Sequence, residues 1–214
     1  PGRPEIRSIW KQMLARKNPL LARASISQPV VTSALTHGLS MAGYLFVDQG
    51  DTVITPDLYW ENYVLVFGNA YGGVLTTFPM FNTMNGFNVA GLRERLMNGA
   101  PGKRIAVLNF PNNPTGYTVT ETEAARIRDT LVDAANAGNT ILVVVDDAYF
   151  GLVYETGIFR ESMFGLLANA HERILAVAGD VAPLGGLVPR AVQDVALGVA
   201  HAVRVILPVA LQQV

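Results

Sequence analysis

One stretch constrains the fold more than any other. Arg104 to Asn109 is a short apolar run, a Pro- and Asn-rich turn follows from Phe110 to Tyr117, and Ile141 to Val145 is a second apolar run. Short runs without alternation are what a strand covered on both faces requires. Between them, Thr120 and Glu123 stand at capping-box spacing. The Thr120 side chain can accept from the third amide of a helix while Glu123 reaches back to the cap. The spacing predicts a helix from there to about Gly138. Strand, helix, strand in this rhythm implies a right-handed crossover between parallel neighbours. Ligands of such sheets sit outside the carboxyl ends of the strands. Two polar clusters fall there, Asn109 to Thr115 and Asp146 to Tyr149.

The flanking sequence alternates in the same way. Ile6, Ile9, Trp10, Met13 and Leu14 give Arg3 to Arg16 the spacing of an amphipathic helix. Val30 and Val31 form a short entry segment, Thr36 to Phe46 a helix, and Asp51 to Thr55 a strand between Gly50 and Pro56. A helix is expected over Trp60 to Tyr71, closed by Gly72 and Gly73, then a strand over Val74 to Pro79. A short helix over Asn88 to Met97 and a strand over Ile174 to Val177 complete the pattern.

With 214 residues, half of them hydrophobic and 15% charged, the chain can bury a large core, as one large domain or two small ones. The longest apolar tract, Val195 to Leu211, is interrupted by His201, Arg204 and Pro208. A membrane span needs about 20 mostly apolar residues, so the expectation is a core helix and no membrane association. A net charge of −1 with scattered basic residues leaves no stripe for nucleic acid. The absence of cysteine removes disulfides, thiolate metal sites and cysteine nucleophiles, and fits a cytoplasmic protein. His37, His171 and His201 are too far apart in sequence to suggest a metal site. Gly99 to Lys103 is no phosphate loop, because Met97 stands where the first glycine belongs and no Ser or Thr follows Lys103. The chain opens on Pro1 with no charged or apolar leader, the expectation for an interior piece of a longer protein.

The chemistry concentrates after the two central strands. Asp146 and Asp147 either end their strand in solvent or present a carboxylate to a cation at the ligand edge, where the Tyr149 phenol can add a hydrogen bond. Asn113-Pro114-Thr115-Gly116 by itself is a turn. Trp60 by itself is a core aromatic at a helix start, and His37 a capping or packing residue.

Taken together, Pro111-Asn112-Asn113-Pro114-Thr115-Gly116 and Asp146-Asp147-Ala148-Tyr149, some thirty residues on, resemble the fold-type I pyridoxal-phosphate enzymes, class I/II aminotransferases in particular. The resemblance covers roughly Pro1 to Val177 and implies a three-layer α/β/α domain with a mostly parallel sheet. It also implies pyridoxal 5'-phosphate as cofactor, amino acid and 2-oxo acid substrates, and a homodimer. By it, Asn113 and Tyr149 share the cofactor's phenolic oxygen and Asp146 pairs with the pyridinium nitrogen. A carboxylate there keeps the ring protonated and electron-accepting. Asp147 becomes a structural position. Asp57 to Tyr63 is similar to the segment whose aromatic residue stacks on the ring, which maps to Trp60. Thr32 to Leu39 is similar to the turn whose backbone amides hold the phosphate, so that Ala34, Leu35 and Thr36 face it. Ala34 and Leu35 stand where the family often has Gly or Ser.

The chain departs from the family at one essential point. The family's lysine, which binds the cofactor covalently and moves the proton, is expected within about ten residues of Val177. Ala178 to Gly186 contains none, and the chain's three lysines, Lys11, Lys17 and Lys103, all lie upstream. Composition changes at the same place: from Ala178 to Val214 there is no Ser, Thr, Lys, Glu or aromatic residue, and Ala and Val fill 16 of 37 positions. Arg190 is no convincing counterpart of the family's phosphate-binding arginine, and the small domain that binds the substrate carboxylate is not recognisable. Residues 1–177 are thus expected as a partial cofactor-binding domain and 178–214 as a divergent tail. A changed reading frame or fusion explains an abrupt switch best; natural divergence and an edited chain are the alternatives. The expectation is an aminotransferase domain with no catalytic residue of its own, inactive as it stands. The alternative is a non-catalytic remnant that keeps the fold and partners a complete subunit.

Overall fold

The structure, a computed structural model, describes residues 2–181 and 201–205. The strands, in chain order, are β1 (Val30–Thr32), β2 (Thr52–Pro56), β3 (Val74–Phe78), β4 (Lys103–Asn109), β5 (Thr140–Asp147), β6 (Ile174–Val181) and β7 (His201–Val205). They form one sheet in the order β1-β7-β6-β5-β4-β2-β3. Neighbours from β6 to β3 pair in parallel, while β7 runs antiparallel to both β6 and β1. The helices are α1 (Pro4–Lys17), α2 (Leu35–Phe46), α3 (Val89–Met97), α4 (Glu121–Asn136) and α5 (Met163–Leu167).

The strand period of two divides β5 between two cores. Ile141, Val143 and Val145 join α1, α3, α4 and α5 through Leu14, Leu96, Ile127 and Phe164. Leu142 and Val144 point the other way, onto Leu39 of α2 and Tyr63, Val66 and Phe67. Helices therefore cover both faces, giving the three-layer α/β/α architecture with a mostly parallel sheet. The crossover between β4 and β5 is built as the capping box requires. Glu123 N–H donates to Thr120 Oγ1 at 3.2 Å, and Thr120 N–H donates to Glu123 Oε2 at 2.8 Å. Glu123 also accepts from Phe87 N–H at 2.7 Å and from the Tyr117 hydroxyl, so one carboxylate stitches two loops to the start of α4. Burial opposes its charge, but these donors prevail and hold the carboxyl below its ordinary pKa. Gly138, at φ +99°, ends the helix in a conformation that only glycine takes without strain.

Three elements differ from the sequence reading. The segment over Trp60 to Tyr71 is helical but widens to a π-helix at Val64–Asn69. Of the apolar tract Val195 to Leu211, expected as a core helix, the described part is the strand β7; the remainder lies outside the described residues. Helical periodicity and sheet insertion compete in a Val-rich segment, and here pairing with two neighbouring strands prevails. Strand β6 continues through the change of composition at Ala178 as far as Val181.

Candidate cofactor site at the carboxyl edge of the sheet

Strands β4 and β5 end level with one another, with Asn109 in register with Asp146. Asn109 Nδ2 donates to the Asp146 carbonyl at 2.9 Å, and its Oδ1 accepts from Asn113 N–H at 2.7 Å. The buried Asn109 side chain thus locks the turn after β4 to the end of β5. Asn112 does the same one loop further on. Its Nδ2 donates to the Leu58 carbonyl at 3.2 Å and its Oδ1 accepts from the Thr115 hydroxyl at 2.7 Å. The turn that presents Asn113 is therefore tied to the loop that presents Trp60.

Asp146 and Asp147 do not end their strand in solvent; they are 3% and 2% exposed. Asp147 Oδ2 accepts from the Ser162 hydroxyl at 2.6 Å. Asp146 Oδ2 accepts from the Tyr63 hydroxyl at 2.6 Å, and its Oδ1 from Ala148 N–H at 3.1 Å. Burial raises the Asp146 pKa above the ordinary carboxylate range, and these two donors offset part of that effect. Burial also pushes the Tyr63 phenol well above its usual value, reinforced by the Asp146 charge and hydrogen bond, so Tyr63 keeps its proton and donates. A desolvated carboxylate of this kind favours a cationic partner.

Six of the seven site residues expected from the sequence line one cleft of about 170 Å³: Leu35, Thr36, Trp60, Asn113, Asp146 and Tyr149. Asn109 and Ala148 complete its lining. The seventh, Ala34, is the N-cap of α2 and lies outside the lining; its carbonyl accepts from Thr32 Oγ1 at 2.8 Å. Among the described residues no side chain caps α2, whose first amides are placed to meet an anion. His37 meets Ser33 Oγ at 3.0 Å beside this turn, a local packing contact. Trp60 stands edge-on to Tyr63 at 5.7 Å between ring centres. A larger hollow of about 240 Å³, between Gly116 and Ile158, contains none of these residues.

Sequence reasoning gave no role to Tyr63, Asn109 or Asn112. Only their types and their places beside named motifs could have flagged them. The Tyr63–Asp146 bond joins residues 83 positions apart, which no local pattern reveals.

The donor set suits pyridoxal phosphate held without a covalent bond. It offers a buried carboxylate for a ring nitrogen, an indole for a ring face, an amide and a phenol for an oxygen, and a helix start for a phosphate. It does not suit covalent attachment. Lys103 lies at the opposite end of β4, bound to Asp48 at 2.8 Å and Asp51 at 2.5 Å. Lys11 donates to the Ile26 carbonyl, and Lys17 lies 5.9 Å from the centre of the Phe150 ring. Among the described residues no cluster of His, Asp and Glu could hold a metal ion, and no helix is long and apolar enough to cross a membrane.

Comparison with known proteins agrees with this architecture. The family model for aminotransferase class I and II matches residues 2–179. A probable aspartate/prephenate aminotransferase of Aquifex aeolicus is 27% identical over 155 residues, 72% of this chain and 36% of that protein. The aspartate aminotransferase of Bacillus subtilis is 30% identical over 129 residues, 60% of this chain and 30% of its own length. The chain thus spans about a third of the curated relatives it matches. Among solved structures, an aminotransferase from Anaerococcus prevotii superposes with a TM-score of 0.73 at 23% identity, over 97% of this chain and 49% of the other. The alanine aminotransferase of Pyrococcus furiosus gives 0.72 at 19% identity, over 97% and 47%. These structures share the fold, and the family model covers most of the sequence: the chain belongs to the class I and II aminotransferase family.

Proposed function

We propose that this chain is the cofactor-binding part of an aminotransferase large domain, acting in its intact family on an amino acid and a 2-oxo acid. The observation that carries the reading is the convergence of Asp146, Asn113, Tyr149 and Trp60 on one cleft beside the start of α2. Pyridoxal phosphate, when bound, supplies an electron-accepting ring that acidifies the substrate's α-carbon. Asp146 would hold the proton on the ring nitrogen, and Asn113 and Tyr149 would take the phenolic oxygen. Trp60 would cover the ring, and the amides at Ala34, Leu35 and Thr36 would take the phosphate.

With no lysine in the cleft, the chain holds the cofactor weakly and does not transaminate alone. Residues 1–177 carry the cofactor-binding part and 178–214 a divergent Ala/Val-rich tail. The proposal includes a homodimer in the cytoplasm, as the family resemblance and the lack of cysteine suggest. The missing lysine also favours a second reading, a non-catalytic partner that pairs with a complete subunit. Absorbance titration with pyridoxal phosphate, borohydride reduction and peptide mass spectrometry test these readings. Saturable binding without a labelled lysine is expected. A labelled lysine overturns the inactivity, and no binding overturns the cofactor reading. Copurification of a lysine-bearing homologue would favour the second.

A further inference from the structure

We propose that Tyr63 is a positioning residue for this site: its hydroxyl, 2.6 Å from Asp146 Oδ2, aims the carboxylate into the cleft and supplies the hydrogen bond that water cannot reach to give. The inference deepens the reading of the cleft as a pyridoxal-phosphate site and names a residue that the sequence motifs leave without a role.

The geometry divides the work between the two carboxylate oxygens. Oδ1 is pinned by Ala148 N–H at 3.1 Å, a bond within the turn that follows β5. That contact alone sets one oxygen and leaves rotation about it open. The Tyr63 hydroxyl arrives from the α2 side of the sheet and sets the second, so the carboxylate plane is determined by two donors from different elements. Tyr63 is itself held by its ring. It stacks on Tyr59 at 6.3 Å, meets Trp60 edge-on at 5.7 Å and tilts against Phe67 at 5.9 Å. It is 1% exposed, so its hydroxyl has no solvent alternative to Asp146. The π-helix begins at the next residue. Wide turns of this kind insert a residue and shift the phase of the helix face. Here Tyr63, Val66 and Phe67 face the sheet while Val64 and Leu65 face outward.

The charge environment leaves this task to Tyr63. Among the described residues no lysine, arginine or histidine lines the cleft, and the other titratable group there is the half-exposed Tyr149. Asp147 points to the opposite face of β5, and on β6 the residue in register with Asp146 is Gly179, with Asp180 beside Asp147. From α2 the cleft receives Leu35 and Thr36, and from β4 Asn109, none of them ionisable. A hydrogen bond to the ionised form lowers a carboxyl pKa, and its loss raises it. Tyr63→Phe therefore delays ionisation of Asp146 to higher pH while keeping the ring contacts.

The test uses the whole chain labelled with 13C-aspartate, the Asp146 carboxyl signal being assigned by its loss in Asp146→Asn. In Tyr63→Phe its titration should move up by about one pH unit, the scale of one hydrogen bond to a charged group. The acid limb of pyridoxamine 5'-phosphate affinity should move with it, weakening binding on that limb about tenfold. An unchanged Asp146 titration overturns the proposal, even if thermal stability falls. Should the phenylalanine variant fail to fold, 3,5-difluorotyrosine at position 63 gives the opposite sign. Its more acidic phenol donates more strongly and should move the titration down; no movement again overturns the inference. If Asp146 responds but neither protein binds pyridoxamine 5'-phosphate, the cofactor reading fails and the positioning role stands.

Discussion

On the α4 and α5 side of β5, Asp147 is closed into the protein, accepting from the Ser162 hydroxyl at the start of α5. On the α2 side, Asp146 is as deeply buried but looks into a cleft, braced from behind by Tyr63 and Ala148. The two are consecutive in sequence and alike in exposure. Their difference follows from the strand period, which sends one to a face sealed by helices and the other to the face where α2 only begins. Burial therefore does not mark the functional carboxylate. The open side of its environment does.

The largest effect that could break this contrast belongs to Asp146→Asn. It keeps the shape and an acceptor for Tyr63 but removes the charge, and should weaken pyridoxamine 5'-phosphate binding about 100-fold, roughly 3 kcal/mol. Titration calorimetry checks it, and unchanged affinity would remove Asp146 from the site. Asp147→Ala should leave the affinity of the folded protein alone but strand the Ser162 hydroxyl, costing about 2 kcal/mol. For a chain of this size that lowers the thermal midpoint by about 4–8 °C. A loss of ligand affinity at constant stability would erase the distinction between the faces. Thr120→Ala, also on the closed side, removes one half of the capping box at about 1 kcal/mol, with no change in the cleft.

The smallest effect lies in the pH dependence of stability. Asp146 binds its proton more tightly in the folded chain than in the unfolded one. Its contribution is therefore present below the unfolded carboxyl value of about 3.9 and lost as pH rises through the raised folded value. Glu123, whose pKa is lowered, contributes above its unfolded value of about 4.3 and loses that on acidification. Denaturant melts of Asp146→Asn should thus gain on the wild type at neutral pH and converge with it in acid, whereas Glu123→Gln should lose at neutral pH. Equal pH slopes in both variants would contradict the two assignments.

Much of the architecture was legible because it is written locally. The apolar runs of β4 and β5, the Thr120–Glu123 box and the glycine that ends α4 each act within a few residues, and the parallel crossover follows from their order. The site was legible as two motifs with a plausible spacing and two upstream matches, which together named six of the residues lining the cleft. Its supporting bonds were not, since Asn109, Asn112 and Tyr63 act across 37, 54 and 83 residues. The apolar tract around β7 misled for a related reason. Its composition permits helix or strand, and the choice is made by the partners it meets on β1 and β6.

The sequence by itself determined the α/β rhythm, the polar residues at the carboxyl ends of β4 and β5, and the absence of a lysine beyond Lys103. Tertiary structure alone decided which phenol braces the Asp146 carboxylate and that Asn112 ties the loop bearing Asn113 to the one bearing Trp60. The division has a physical cause. Local propensity, capping and periodicity act over a turn or two of chain, while the orientation and ionisation of a buried carboxylate depend on donors and solvent that only the folded packing brings to it.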